Sequence, residues 1–207
     1  MIDYSLTDEQ NFLRETVRKF AENEIAPYAQ ELDREEKFSV EITKKMGEMG
    51  FFGAFVSPKY GGQGLDYISY IIMVEEIARV DGSQAATVAA GNSLGIGPIY
   101  YFGNEEQKQK WLPRLCKGEI LSGFGLTEAD AGSDAGGTLT NAVLDERKNE
   151  WVINGSKMFI TNTSNELSGV VIVQAVTGKS AKGRKELSCF IVPTDAPGFE
   201  SRKLHDK

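Results

Sequence analysis

Up to about residue 118 the apolar positions recur at helical intervals, and beyond it they gather into short runs of strand length. Thr7 with Gln10 forms the pair of a capping box, and Leu13, Val17, Phe20 and Ala21 then share one helical face until Pro27 disturbs it. Ser39 is placed to cap a short helix with Ile42, Met46 and Met49 inward, stopped by Gly50. FFGAFVSPKYGGQG, residues 51–64, is an apolar run followed by a Pro and Gly loop. YISYIIMVEEIARV, residues 67–80, is apolar nearly all round until its acidic end, the pattern of a helix buried between others, and Asp81 and Gly82 close it. Residues 83–103 predict a small-residue helix able to pack closely, and Asn104 with Gln107 opens another that carries Trp111 and Leu115 and closes near Gly118.

After Gly118 the period shortens. NEWVINGSKMFITN, residues 149–162, carries β-branched and aromatic residues around Asn154-Gly155, a strong hairpin signal. GVVIVQAV (169–176) and LSCFIVP (187–193) read as strands, with TGKSAKGRKE an exposed charged turn between them. The segregation predicts an α+β fold: an all-α bundle of about five helices over residues 1–118, then an antiparallel, barrel-like β domain over 119–207. The polar ending FESRKLHDK, straight after a strand and a Pro-Gly turn, reads as an interruption of that domain, which is expected to be incomplete there.

A net charge of -7 over 207 residues repels phosphate backbones, which argues against nucleic acid and anionic membranes as partners. No apolar run reaches the ~18 to 20 residues of a membrane span, and the acidic start MIDYSLTDEQ resembles neither a secretory leader nor a transit peptide, so a cytoplasmic location is expected. Cys116 and Cys189 are expected to be separate reduced core thiols, and the sequons at Asn154 and Asn162 are chance matches without a secretory route. His205 is the sole histidine and lies near the C-terminal end, leaving almost no place for a His-based triad or metal site.

Gly178-Lys179-Ser180 fails as a P-loop because Val173 stands where the pattern needs glycine, and Gly95-x-Gly97 fails as a dinucleotide fingerprint because Tyr100 does. Glu75-Glu76 and Glu105-Glu106 are adjacent on helices, so their members point to different sides. Two stretches survive. FGLTEADAGSDAGG, residues 124–137, has no Lys, Arg, His or Cys, but Gly132, Gly136 and Gly137 permit close approach and Thr127 and Ser133 add hydroxyls to loop amides able to nest an anion. In KMFITN, residues 157–162, Phe159 offers a flat face, and Thr161 would point the same way in a strand. Taken singly, each suits a turn or a packed aromatic as well as a binding surface; together they favour a heterocycle carrying phosphate.

FGLTEADAGSD (124–134) followed by NGSKMFITN (154–162) resembles the flavin-binding signature pair of the acyl-CoA dehydrogenase family, and PKYGGQGLDY, GNSLGIGPI and FGNEEQKQKWLPRLCKGE stand in that family's order. The resemblance covers essentially the whole chain. It implies a helical domain, a β domain and a further four-helix domain that has no counterpart in residues 1–207, assembled as dimers or tetramers with FAD. It implies that Phe124 to Ser133 form the first flavin-contacting segment, Leu126 and Thr127 reaching the pyrimidine end of the ring, with Gly132 in the loop and Ser133 at the pyrophosphate and the CoA side of the substrate. Phe159, Ile160 and Thr161 would form the second segment, Thr161 bonding the flavin edge around N5. Three departures stand out: Ala129-Asp130 where many members have Pro-Gly, Phe159 where many have Trp, and Ala90 where some medium-chain members carry a pocket-floor Glu.

The chemistry implied is α,β-dehydrogenation of an acyl-CoA thioester, a carboxylate removing the α-proton while hydride passes to flavin N5, with electrons handed to an electron-transfer flavoprotein. The family's glutamate base lies in the domain without counterpart, so no catalytic residue is assigned and little or no activity is expected of these residues alone. An acyl-CoA oxidase or flavin monooxygenase relative, and a non-catalytic interaction module of the same fold, are the alternatives.

Overall fold

The computed structural model describes residues 5–204, so His205 lies outside the described residues. The helical part runs α1 (Asp8–Phe20), α2 (Ala26–Arg34), α3 (Val40–Glu48), α4 (Tyr67–Ala78), α5 (Gly82–Ala90), α6 (Gly97–Phe102) and α7 (Glu105–Cys116). Widened π turns at Ala21–Ile25 and Gly91–Ile96 join α1 to α2 and α5 to α6, so the described helices make five rods.

Both π turns have the same cause. Each runs to within two residues of a proline, Pro27 or Pro98, whose ring would clash with the carbonyl four residues back and which has no N–H to donate to it. The residue ahead of each proline donates five back instead, Ala26 N to Ala21 O and Gly97 N to Asn92 O, and the rod continues. Pro27 thus widens the helix without ending it.

The expected caps are in place. Thr7 and Gln10, and likewise Asn104 and Gln107, bond reciprocally as capping boxes, and Ser39 Oγ accepts from Ile42 N at 3.2 Å. Val17, Ala21, Ile42 and Met46 are buried as their spacing predicts. Met49 is 44% exposed, contrary to that pattern, because α3 ends at Glu48 and Met49 sits past its last turn. α4 is likewise less enclosed than its composition predicts. It packs against α1 and α5, burying Tyr70, Met73 and Ile77, while Tyr67, Ile68 and Ile71 face outward.

The strands are β1 (Leu121–Gly125), β2 (Asn141–Asp145), β3 (Glu150–Asn154), β4 (Ser168–Lys179) and β5 (Lys185–Pro193). β4 is central. One edge pairs antiparallel with β5 from Val170↔Pro193 to Lys179↔Lys185, and β1 and β2 both pair with it in parallel, β2 through Asn141↔Val176. The sheet is therefore mixed rather than antiparallel throughout. The α+β division with helices first and strands second holds. The hairpin expected at Asn154-Gly155 is instead the β2–β3 pair, turning at residues 146–149 with Asn149 left-handed at φ 53°. Gly155 serves a different need, since a Cβ there would fall 2.7 Å from Thr140 Cα.

One apolar cluster runs from Val17 and Ile77 in the helices and Phe51 just after α3 to Leu121, Val170 and Ile172 in the sheet. Full burial of side chains such as Phe51 and Phe52 contributes about 1.5 to 3 kcal/mol each. The small-residue stretch fulfils its promise of close packing: Gly95 sits directly on Ser122 of β1. Asn92, fully buried in the same π turn, accepts from Ala54 N and donates to Phe51 O and Val88 O, satisfying its whole amide. The Gly95 contact sets β1, and so the loop that follows it, against the helices.

Candidate functional site

The chain leaves β1 through a tight bend in which Leu126 N donates to Phe124 O at 3.2 Å. Glu128 and Ala131 then exchange backbone bonds, Glu128 N to Ala131 O at 3.0 Å and Ala131 N to Glu128 O at 3.3 Å, closing a small knuckle. The Glu128 side chain turns inward. Its carboxylate accepts from Lys157 Nζ at 2.7 Å, Leu139 N at 2.7 Å, Thr140 N at 3.1 Å and the Thr138 hydroxyl. Lys157 Nζ also donates to Leu126 O at 3.0 Å and Thr138 Oγ1 at 2.8 Å, so all three of its protons have acceptors. Both side chains are under 10% exposed. Burial alone would raise the Glu128 pKa, but the bonds from Lys157, Thr138, Thr140 and Leu139 outweigh it and hold the carboxyl well below its ordinary range.

The far side of the loop is tied to the β4–β5 hairpin. Lys185 Nζ donates to Gly137 O at 2.9 Å and Thr138 O at 2.7 Å, and Gln174 Nε2 donates to Ala135 O at 3.0 Å. Only the tip is left outside this frame. Gly132 and Ser133 are exposed there, and a Cβ on Gly132 would meet nothing within 4 Å.

The second segment lies alongside the first. Met158 N donates to Thr127 O at 2.9 Å, placing residues 157–158 next to 126–127. Ile160 and Thr161 then cross β1 at Gly123, where a Cβ would fall 2.5 Å from Thr161 O. Phe159 is not in a strand, so the expectation that it and Thr161 point the same way by strand alternation fails. It sits left-handed at φ 59°, as does Asn162 at φ 68°, because the chain must reverse here to run back to β4. Asn162 Nδ2 donates to Thr87 O of α5, fixing the turn on the helices.

Phe124, Leu126, Thr127, Phe159, Ile160 and Thr161 are thus brought together around the end of β1. Phe159 is 54% exposed, Thr161 is exposed, and Phe124, Leu126, Thr127 and Ile160 are half-buried. Gly132 and Ser133 stand apart at the loop tip. Ala90 is buried at the end of α5 and adjoins the second segment through the turn held by Asn162, three residues from its anchor at Thr87.

Glu128 and Lys157 were not singled out from the sequence, although each lies inside one of the two signature stretches. Their opposite charges were the available signal. The loop without a lysine draws one from the other segment. Other acids of the fold are committed elsewhere: Glu76 is held by Arg14, Arg18 and Arg79, and Glu105, at about 2, by Gln109, Lys59 and Tyr60. Cys116 is buried, its thiol pushed up to about 12 by burial, while Cys189 is exposed and so not a core thiol. Among the described residues no group of three or more His, Cys, Asp or Glu could hold a metal ion, and no helix is long and apolar enough to cross a membrane.

The comparisons with known proteins agree in direction. The family model described as acyl-CoA dehydrogenase, N-terminal domain, matches residues 7–119, and that for the middle domain matches residues 123–207. A probable acyl-CoA dehydrogenase, YngJ, of Bacillus subtilis (strain 168) is 48% identical over 206 residues, 100% of this chain and 53% of that protein. A chain in a solved structure of the electron transferring flavoprotein of Acidaminococcus fermentans superposes with a TM-score of 0.91 at 39% identity, covering 100% of this chain and 53% of its own length. A glutaryl-CoA dehydrogenase from Mycobacterium smegmatis, solved in complex with FADH2, gives a TM-score of 0.89 at 34% identity, covering 98% of this chain and 50% of the other. The chain spans about half the length of these relatives.

Proposed function

The chain belongs to the acyl-CoA dehydrogenase family, and from that premise we propose that residues 124–133 and 159–161 form one wall of an FAD site in an enzyme that dehydrogenates an acyl-CoA thioester. The observation that carries the proposal is the Met158 N to Thr127 O bond, which stitches two segments thirty-one residues apart into a single surface. The donor set suits the cofactor: neutral hydroxyls at Thr127, Ser133 and Thr161, an outward aromatic ring at Phe159, and an open glycine-bearing tip able to approach a phosphate without a side-chain cation. FAD, when bound, supplies the two-electron acceptor that no side chain here could provide.

Within that site Leu126 and Thr127 hold the pyrimidine edge of the ring, Phe159 stacks on it, Thr161 bonds its other edge, and Ser133 serves the pyrophosphate and the CoA side of the substrate. Ala90, lacking a carboxylate, leaves the acyl pocket with a small apolar floor. No residue in 5–204 is proposed as the base that takes the α-proton. Glu76, Glu105 and Glu128 are each paired with cations and held low, which removes the proton affinity a base needs. Likeness to the Bacillus acyl-CoA dehydrogenase supports an acyl-CoA as substrate, and the Acidaminococcus structure supports an electron-transferring flavoprotein as the partner that takes the electrons.

The test is direct. The purified full-length protein incubated with FAD and desalted is expected to retain a flavin absorbance spectrum that acyl-CoA perturbs. A protein that stays colourless overturns the flavin reading and favours a non-catalytic module of the same fold.

A further inference from the structure

The Leu126–Thr127 peptide receives a full positive charge on its carbonyl side. Lys157 Nζ donates to Leu126 O at 3.0 Å, and the same ammonium is held in place by Glu128 and Thr138. The knuckle itself is closed by the two Glu128–Ala131 backbone bonds and the base of the loop by Lys185 and Gln174. An ammonium on a peptide oxygen draws electron density along the amide and makes the N–H on its other side, that of Thr127, a stronger donor. The pair is shielded from water, which strengthens the effect, and the Lys157 stem also packs 3.3 Å from where a Cβ on Gly125 would lie.

We infer that the Glu128–Lys157 pair positions and polarises the Leu126–Thr127 peptide for the flavin, making both residues positioning residues that act on the cofactor without touching it. Glu128 fixes where the ammonium sits, and Lys157 aims and charges the peptide. The inference rests on the flavin reading above. It assigns these two side chains a task beyond the stability expected of a buried ion pair, since a stronger N–H donor at the pyrimidine edge of a flavin favours the reduced, more anionic ring.

Lys157→Met keeps the length of the stem and removes the charge, but it strands Glu128, so the neutral pair Lys157→Met/Glu128→Gln is made beside it. Folding is checked by circular dichroism and thermal unfolding. FAD affinity is then measured by quenching of flavin fluorescence, and the potential of the bound flavin by spectroelectrochemical titration. The folded neutral pair is expected to bind FAD roughly two- to fivefold more weakly, since the peptide loses its aim and polarisation but keeps its own N–H, and to lower the flavin potential. A folded neutral pair with native FAD affinity and native potential overturns the inference and leaves the flavin site standing. If the unsubstituted protein itself fails to bind FAD, the flavin reading falls and this inference with it.

Discussion

Gly95 of the π turn and Ser122 of β1 touch so closely that a Cβ built on the glycine would lie 1.6 Å from the serine Oγ and 2.4 Å from its Cβ. Helical and sheet parts meet here with no room for a side chain. Gly95→Ala is therefore expected to destabilise the protein by about 1 to 3 kcal/mol through overpacking, seen as a lower midpoint in urea unfolding. Ser122→Gly in the same chain should recover part of the loss, the two changes coupling because they share one space. Equal and additive losses would show that the contact is looser than described.

Asn92 carries a second joint. Its amide is the buried partner of Ala54 N, Phe51 O and Val88 O. Asn92→Leu fills a similar volume but strands Ala54 N–H and Phe51 O, at a cost of about 1 to 3 kcal/mol for each group left unsatisfied, while Val88 O keeps its bond from Gly91 N. Thermal unfolding should show a loss well beyond that of an exposed control such as Asn11→Leu. Parity between the two would mean the buried network adds nothing.

Acid should loosen the helical part through Glu76. Bonds from Arg18, opposed by burial and reinforced by Arg79, hold its folded pKa below the ordinary 4.5. A carboxylate depressed in the folded state contributes stability that is fully present above its unfolded pKa and is lost as pH falls through the folded value. Stability is thus expected to be level near neutrality and to decline below about pH 4.5. Glu76→Gln should be less stable than the unsubstituted protein at pH 7, and the gap should narrow in acid. A gap that stays constant from pH 7 to pH 3 would remove Glu76 from the account.

Much of the helical part was legible because its signals are local. Thr7 with Gln10, Ser39, and Asn104 with Gln107 act within one turn of themselves, and the apolar period needs no knowledge of the partner surface. The strands were less so. β1 is short and draws its pairing from β4, far away in sequence, and Asn154-Gly155 imitates a hairpin while its glycine answers to Thr140. The candidate site was half legible for the same reason. Hydroxyls, glycines and an aromatic can be read from motifs, whereas the Glu128–Lys157 pair joins residues twenty-nine positions apart and exists only once the two segments lie side by side.

Phe159 provides the sharpest separation of function from folding. Its left-handed φ of 59° costs a non-glycine residue roughly 1 to 2 kcal/mol, and it is 54% exposed, so its ring recovers only part of a core phenylalanine's burial. Backbone strain kept at an exposed aromatic has a reason if the ring is presented to a ligand. Asparagine tolerates the same conformation by bonding locally, so Phe159→Asn should relieve strain while removing the stacking face. The expected result is a melting temperature equal to or above that of the unsubstituted protein, together with FAD binding weakened by roughly tenfold, in the range of a lost aromatic stacking contact. Opposite signs in the two measurements are the signature of a residue held for the cofactor. A variant that loses stability and keeps its FAD affinity would instead make Phe159 a packing residue and move the stacking face elsewhere.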